Sequence, residues 1–214
     1  MTYTVKEIFH TLQGEGINTG RAAVFCRFAG CNLWSGLEKD RSNAECTFCD
    51  TDFVGLNGPG GGRFETPADL AQAVKSYWPN SAKEPFVVCT GGEPLLQIDG
   101  ALIDALHVEG FKVAVETNGT QPAPVGKTGG LDWICVSPKA GCPIDLKAGD
   151  ELKVVFPQVG LNLKDLESLT FRNFLLQPMD GVDARKNTQL AIKYCRDHPL
   201  WRLSLQTHKI LGIP

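Results

Sequence analysis

The sequence predicts an α/β fold built as a partial, open barrel of mainly parallel strands with flanking helices. Three observations carry it. Short runs rich in β-branched and other apolar residues recur along the chain, segments of helical period lie between them, and 214 residues fall short of the roughly 250 of a complete barrel.

The first strand expected is Ala22–Phe28. Two stretches after it leave the alternation: 30–50, which holds three cysteines, and 55–63, where five of nine residues are glycine. The first reads as a ligand loop and the second as a flexible connector. Thr66-Pro67 then opens a helix over 67–78, with a hydroxyl cap followed by proline in the first turn. A strand over 86–89 leads through Thr90-Gly91-Gly92-Glu93-Pro94 to a helix over 96–108. Strands follow at 112–116, 132–136 and 152–156, a helix at 164–169, a strand at 173–177, a helix at 183–198 with Asp183 as its cap, and a strand at 202–206. No internal repeat or low-complexity tail interrupts residues 1–214, which read as a single domain.

Composition excludes several functions. With 21 basic and 24 acidic residues, the chain has no basic footprint for a phosphate backbone or an anionic membrane, so nucleic acid and membrane are not expected partners. Residues 1–8 include Lys6 and Glu7 and lack the apolar core of a signal peptide; no apolar run nears the roughly 20 residues that cross a bilayer. A cytoplasmic location is expected. There thiols stay reduced, and eight cysteines read as ligands, nucleophiles or buried filler rather than as disulfides.

Cys31, Cys46 and Cys49 are separated by fourteen and then two residues, in the loop directly after the first strand. Three thiolates converging there suit a metal. A structural zinc wants four protein ligands, whereas an iron–sulfur cubane held by three thiolates leaves one iron open to a cofactor. A zinc site completed by His10 or Cys26, or a set of redox-active thiols, also accommodates the spacing. Cys26, Cys89 and Cys135 in strand runs, Cys142 in a turn and Cys195 on a helix suit small hydrophobic filler. The Gly91-Gly92 pair sits at the carboxyl end of a strand, where α/β folds bind ligands and where glycine lets backbone approach them. By itself it is equally a turn.

Taken together, the cysteine triplet and the Thr90–Pro94 loop resemble the radical S-adenosylmethionine superfamily, whose usual spacing is three and then two residues. The enlarged first interval is similar to a variant within the 7-carboxy-7-deazaguanine synthases. Further segments match that family: Phe9-His10-Thr11-Leu12-Gln13-Gly14-Glu15-Gly16, Cys49-Asp50-Thr51, Glu116-Thr117-Asn118-Gly119, Ser137-Pro138-Lys139, Gln177-Pro178-Met179-Asp180 and Gln206-Thr207-His208-Lys209.

The resemblance implies a [4Fe-4S] cluster on Cys31, Cys46 and Cys49 whose open iron chelates S-adenosylmethionine, reduction then yielding a 5′-deoxyadenosyl radical. It implies cofactor contacts from Phe48, Cys49, Asp50, Gly92, Glu93, Glu116, Ser137, Pro138, Lys139, Gln177, Pro178, Met179 and Asp180. Ser137-Pro138 read alone is equally a strand terminator, and Glu116 a cap. The implied substrate is 6-carboxy-5,6,7,8-tetrahydropterin, converted with loss of ammonia to 7-carboxy-7-deazaguanine in queuosine biosynthesis. Its contacts would come from Leu12, Gln13, Gly14 and Glu15 on the ring edge, Arg27 on the carboxylate, Thr90, and the chain end at Pro214. Mg²⁺ would be held by Thr51, with Asp50 as the alternative ligand. An electron donor such as flavodoxin or ferredoxin, and a homodimer, complete the expectation. Two other functions share features of the sequence: a glycyl-radical-enzyme activase, and a zinc or iron–sulfur module without chemistry of its own.

Overall fold

The computed structural model describes residues 2–80 and 83–214. Nine strands form one sheet: β1 Tyr3–Leu12, β2 Ala22–Phe28, β3 Gly62–Phe64, β4 Phe86–Gly91, β5 Lys112–Thr117, β6 Trp133–Val136, β7 Ala148–Phe156, β8 Thr170–Pro178 and β9 Trp201–Leu203. Their order is β3-β1-β2-β4-β5-β6-β7-β8-β9. From β2 to β9 every pairing is parallel, whereas β1 pairs antiparallel with both β2 and β3. The helices are α1 Pro67–Tyr77, α2 Gly100–Val108, α3 Leu163–Leu166, α4 Ala184–Asp197 and α5 Thr207–Leu211.

The expected mostly parallel open sheet is present, with corrections at both ends. β1 was not expected. Tyr3 and Val5 are buried on odd positions and Ile8 on an even one, because the register against β2 shifts between Val5 and Glu7; that bulge breaks the alternation by which a strand is recognised. The glycine-rich stretch is no flexible connector. Gly58 N donates to Lys6 O at 3.0 Å, Ile8 N donates to Pro59 O at 2.7 Å, and Gly62–Phe64 is a strand on β1. A Cβ on Gly61 would stand 2.2 Å from Lys6 O, so these glycines serve close backbone approach rather than freedom. Lys6, 8% exposed, fastens the same segment through Val54 O, Asn57 Oδ1 and Asp52.

Helix starts follow their caps. Thr66 Oγ1 accepts from Asp69 N at 3.1 Å, and Asp99 Oδ1 accepts from Leu102 N at 2.9 Å, which begins α2 at Gly100 rather than at 96; Pro94–Leu96 is a separate 3₁₀ turn. Asp183 stands at the N-cap of α4 but makes no side-chain cap bond. β9 ends at Leu203, short of the expected 206, and α5 follows where no helix was expected.

Two apolar layers back the sheet. Leu70 and Val74 of α1 and Leu102, Ile103 and Leu106 of α2 cover Val24, Val87, Val113 and Val115. Ala191 of α4 and Leu163 and Leu166 of α3 cover Leu152, Val154, Leu176 and Trp201. Cys26 and Cys89, opposite each other in register, belong to the first layer, as filler does.

Candidate active site

The uncovered face of the sheet carries polar side chains in an ordered row. Across β1, β2 and β4, Glu7, Arg27 and Thr90 are register neighbours; Phe9 and Phe25 stack one step away with ring centroids 5.4 Å apart. Glu116 on β5 and Lys153 on β7 continue the face. Alternation along each strand sends these side chains inward while their neighbours fill the apolar layers. They line a cavity of about 570 Å³, open on one side, the size of a small-molecule site.

The cysteine loop closes over this cavity. Cys31, Cys46 and Cys49 all line it, together with Phe48, Asp50 and Thr51. Burial raises the Cys31 and Cys46 thiols, with Cys49 adding to both shifts. The long first interval wraps around Arg41. Its Nε pairs with Glu38, its Nη1 donates to Thr47 O and Cys49 O at 3.0 Å each, and its guanidinium lies 4.0 Å over the Trp34 ring. Arg41 thus bolts the Cys46–Cys49 turn to the insertion.

On the other side the glycine pair abuts the start of the loop. Gly92 N donates to Phe28 O at 3.3 Å and Glu93 N to Gly30 O at 2.9 Å. A Cβ on Gly92 would lie 2.1 Å from Gly30 O and 2.8 Å from the Cys31 Cβ, so residue 92 must be glycine to seat Cys31. Among the described residues no three His, Cys, Asp or Glu side chains are grouped to hold one metal ion. His10 is exposed and edge-on to Trp78, and Cys26 is buried in the apolar core, so neither completes a zinc site. Three thiols around one cavity fit a cubane, in which each thiolate ligates a different iron.

Of the other expected cofactor contacts, Gly92, Glu116, Ser137, Lys139, Gln177, Pro178, Met179 and Asp180 line the cavity. Two do not. Glu93 is fully buried, and its carboxylate accepts from Leu95 N, Thr117 Oγ1 and Asn118 N; it braces the β4 and β5 ends against each other. Burial pushes its carboxyl up, against those three donors. Pro138 is also outside the lining, its carbonyl accepting from Gln158 Nε2 at 3.3 Å. Lys139, beside Phe48, donates to Ser137 O and Oγ, and burial lowers its ammonium.

Every expected pterin contact lines the cavity: Leu12, Gln13, Gly14, Glu15, Arg27, Thr90 and Pro214. Several are already engaged. Gln13 Nε2 donates to Glu116 Oε1 at 2.8 Å, Gly14 O accepts from Thr207, and Pro214 O accepts from Thr11 Oγ1 at 3.0 Å. Glu15 pairs with Lys153 at 2.5 Å and accepts from Gln206 Nε2. Burial acts to raise the Glu15 carboxyl, but Lys153 beside it outweighs that and holds it down to about 2.

Lys153, Glu7 and Arg41 escaped the sequence reading as site residues, and Lys209 entered it only as part of the matching Gln206–Lys209 segment. Lys209, on α5, bridges Asp50 and Asp180 at 2.6 Å each and ties the chain end over the cavity. A charged residue inside the apolar run 152–156 was the available signal for Lys153.

A parallel open sheet with a three-cysteine loop at its carboxyl edge defines a class. The model described as "Radical SAM superfamily" matches residues 40–214. Within that class, full-length similarity narrows the family. The chain is 61% identical to 7-carboxy-7-deazaguanine synthase of Caulobacter vibrioides and 58% identical to that of Bordetella pertussis, each over all of both chains. The crystal structure of QueE from Escherichia coli superposes with a TM-score of 0.68 at 29% identity, covering 96% of this chain and 94% of that one. The chain belongs to the 7-carboxy-7-deazaguanine synthase family of radical S-adenosylmethionine enzymes. No helix among the described residues is long and apolar enough to cross a membrane.

Proposed function

We propose that this chain, as one domain over residues 1–214, converts 6-carboxy-5,6,7,8-tetrahydropterin to 7-carboxy-7-deazaguanine with loss of ammonia, in the cytoplasm, as a homodimer. One observation carries the reading: a single cavity collects the three cysteines and the whole set Leu12, Gln13, Gly14, Glu15, Arg27, Thr90 and Pro214. A glycyl-radical activase needs room for a protein segment, and this cavity of about 570 Å³ suits a bicyclic ring beside a nucleoside.

Cys31, Cys46 and Cys49 would hold a [4Fe-4S] cluster, with S-adenosylmethionine at its open iron between Phe48, Gly92, Glu116, Ser137, Lys139 and Gln177–Asp180. When bound and reduced by a donor such as flavodoxin or ferredoxin, the pair supplies a carbon-centred radical able to take hydrogen from C6 of the pterin. The chain's own residues bind and orient. Arg27 offers a fork to the pterin carboxylate, Glu15 accepts from ring N–H groups, and Thr90 lies beside Arg27 on β4. Thr51 at the cavity wall would hold Mg²⁺ with substrate oxygens and water, as suits an ion that keeps most of its hydration. The two stacked phenylalanines and the strap at the chain end exclude water from the reacting face.

The test is anaerobic incubation of the reduced, cluster-loaded protein with S-adenosylmethionine, Mg²⁺ and the carboxytetrahydropterin. Formation of the deazapurine is expected. Cofactor cleavage without deazapurine would refute the substrate and leave the class intact.

A further inference from the structure

We infer that Lys153 is a positioning residue that fixes Glu15 and Glu116 relative to each other, and thereby couples the pterin subsite to the cofactor subsite. The inference rests on the substrate and cofactor assignments above.

Lys153 interrupts the run Leu152, Val154, Val155 on a strand with neighbours on both sides, and is 3% exposed. A buried ammonium is tolerated only when paired. Its Nζ lies 2.5 Å from Glu15 Oε2 and 2.7 Å from Glu116 Oε2, and it lines the cavity beside both carboxylates. The contacts close into a ring. Gln13 Nε2 donates to the other oxygen of Glu116 at 2.8 Å, and Gln13 Oε1 accepts from Glu15 N at 3.1 Å. Gln206 Nε2 holds the remaining Glu15 oxygen at 3.1 Å. Glu15 follows β1 and Glu116 stands on β5; among the described residues the lysine on β7 is the one cation bonded to both.

Surrounding titratable groups do not compete for the role. From β6, burial pushes the Cys135 thiol up and keeps it neutral. From β7, Glu151 is raised by burial and accepts from Trp133 Nε1 at 2.7 Å. Lys139, after β6, bonds Ser137, and from the chain end Lys209 bonds Asp50 and Asp180. His208 packs on Gly14, next to Glu15, and its backbone carbonyl accepts from Ile213 N at 3.1 Å. Lys153 is therefore the group that keeps Glu15 an ionised acceptor for pterin N–H donors. Displacing Glu116 must move Glu15 with it.

The experiment uses cluster-loaded wild type and the Lys153→Met, Lys153→Arg and Glu116→Gln variants. Dissociation constants for the carboxytetrahydropterin and for S-adenosylmethionine are measured separately between about pH 5 and pH 8. Wild-type pterin affinity should stay flat. In Lys153→Met the buried Glu15 loses its cation, its carboxyl rises into the window, and pterin affinity should fall up to about tenfold per pH unit on acidification, with S-adenosylmethionine weakened as well. Lys153→Arg should restore the flat profile. Should Lys153→Met not fold, Glu116→Gln still reports: it should weaken the pterin as well as S-adenosylmethionine. A flat profile in Lys153→Met, or an effect of Glu116→Gln confined to S-adenosylmethionine, overturns the coupling. Wild type that binds S-adenosylmethionine but not this pterin refutes the substrate assignment and the coupling with it.

Discussion

Arg27 donates to Glu7 Oε1 through Nε at 2.8 Å, and the two residues face each other in the β1–β2 register. The pair spends the side-on nitrogen and leaves the terminal fork of the guanidinium outside it. A planar fork aimed by a neighbouring carboxylate suits bidentate capture of a carboxylate. Arg27→Ala should weaken pterin binding by about 1.5–3 kcal/mol, the range for a charged hydrogen bond. Glu7→Gln, which keeps the shape and loses the charge, should weaken it less. Calorimetric titration of the pterin distinguishes the two; equal losses would show that Glu7 meets the substrate itself.

Arg41 carries the second expectation. It joins Glu38, the Trp34 face and the carbonyls of Thr47 and Cys49, and with the bond from Cys46 N to Leu33 O it holds the turn bearing two of the three thiols. Arg41→Ala should fold, because the insertion lies outside both apolar layers, yet lose iron faster under an exogenous chelator. Cys31→Ala, Cys46→Ala and Cys49→Ala should each abolish the cluster. Iron and sulfide per chain, with the charge-transfer absorbance, make the comparison.

The cysteine triplet and the Thr90–Pro94 loop were legible because their chemistry depends on residue type at short spacing, as were the parallel strands, whose runs are mostly apolar because one face is packed under the helices. What escaped depends on the third dimension. β1 hid behind a bulge at Lys6, and the glycines of 55–63 read as slack because the carbonyl of Lys6 that crowds them lies fifty residues away. Glu93 follows Gly92 in sequence, but the 3₁₀ turn starting at Pro94 directs its carboxylate to Leu95 N, Thr117 and Asn118 instead of the cavity. Lys153 and Lys209 are defined by partners from distant segments, Glu15 and Glu116 for one and Asp50 and Asp180 for the other, while Arg41 meets its partners only once the loop over 34–49 is closed.

Glu15 links the site to acid stability. Its carboxyl is held down to about 2, from an ordinary value of 4.5, by the Lys153 ammonium working against burial. A folded-state value below the unfolded one adds stability above about pH 4.5, and that contribution is lost as pH falls toward about 2. Wild-type Tm should therefore drop on acidification from about pH 5 to pH 3.5. Lys153→Met should start lower at neutral pH and drop less, because an unpaired buried carboxyl gains by protonation. Asp104, also held near 2 by Thr128 and Lys127, is present in both proteins, so the difference between the two curves reports the carboxylates paired with Lys153, Glu15 and Glu116. Parallel curves by calorimetry would disprove the assignment.

Lys209 makes the chain end a strap. Its two ion pairs, to Asp50 beside Cys49 and to Asp180 after β8, are half-exposed, and pairs of that kind contribute about 0.2–1 kcal/mol each. Lys209→Met should thus shorten the residence of bound pterin only several-fold and leave the Tm nearly unchanged. Residues appended after Pro214, which lines the cavity and accepts from Thr11, should have the larger effect. Stopped-flow dissociation at two salt concentrations separates them: salt should mimic Lys209→Met and not the appended tail.

Gly92→Ala concentrates the geometry of the site into one methyl group. Its Cβ would stand 2.1 Å from Gly30 O and 2.8 Å from the Cys31 Cβ, contacts that backbone can relieve only by moving the Cys31 end of the loop away from β4. The bonds from Gly92 N to Phe28 O and from Glu93 N to Gly30 O oppose that movement, so strain falls on the cluster ligand. The variant should keep its fold and lose most of its iron. Gly62→Ala is the control, since a Cβ there meets nothing within 4 Å and should leave iron content at the wild-type value. If Gly92→Ala retained a full complement of iron and sulfide, the close approach of the glycine pair to Cys31 would have no part in seating the cluster.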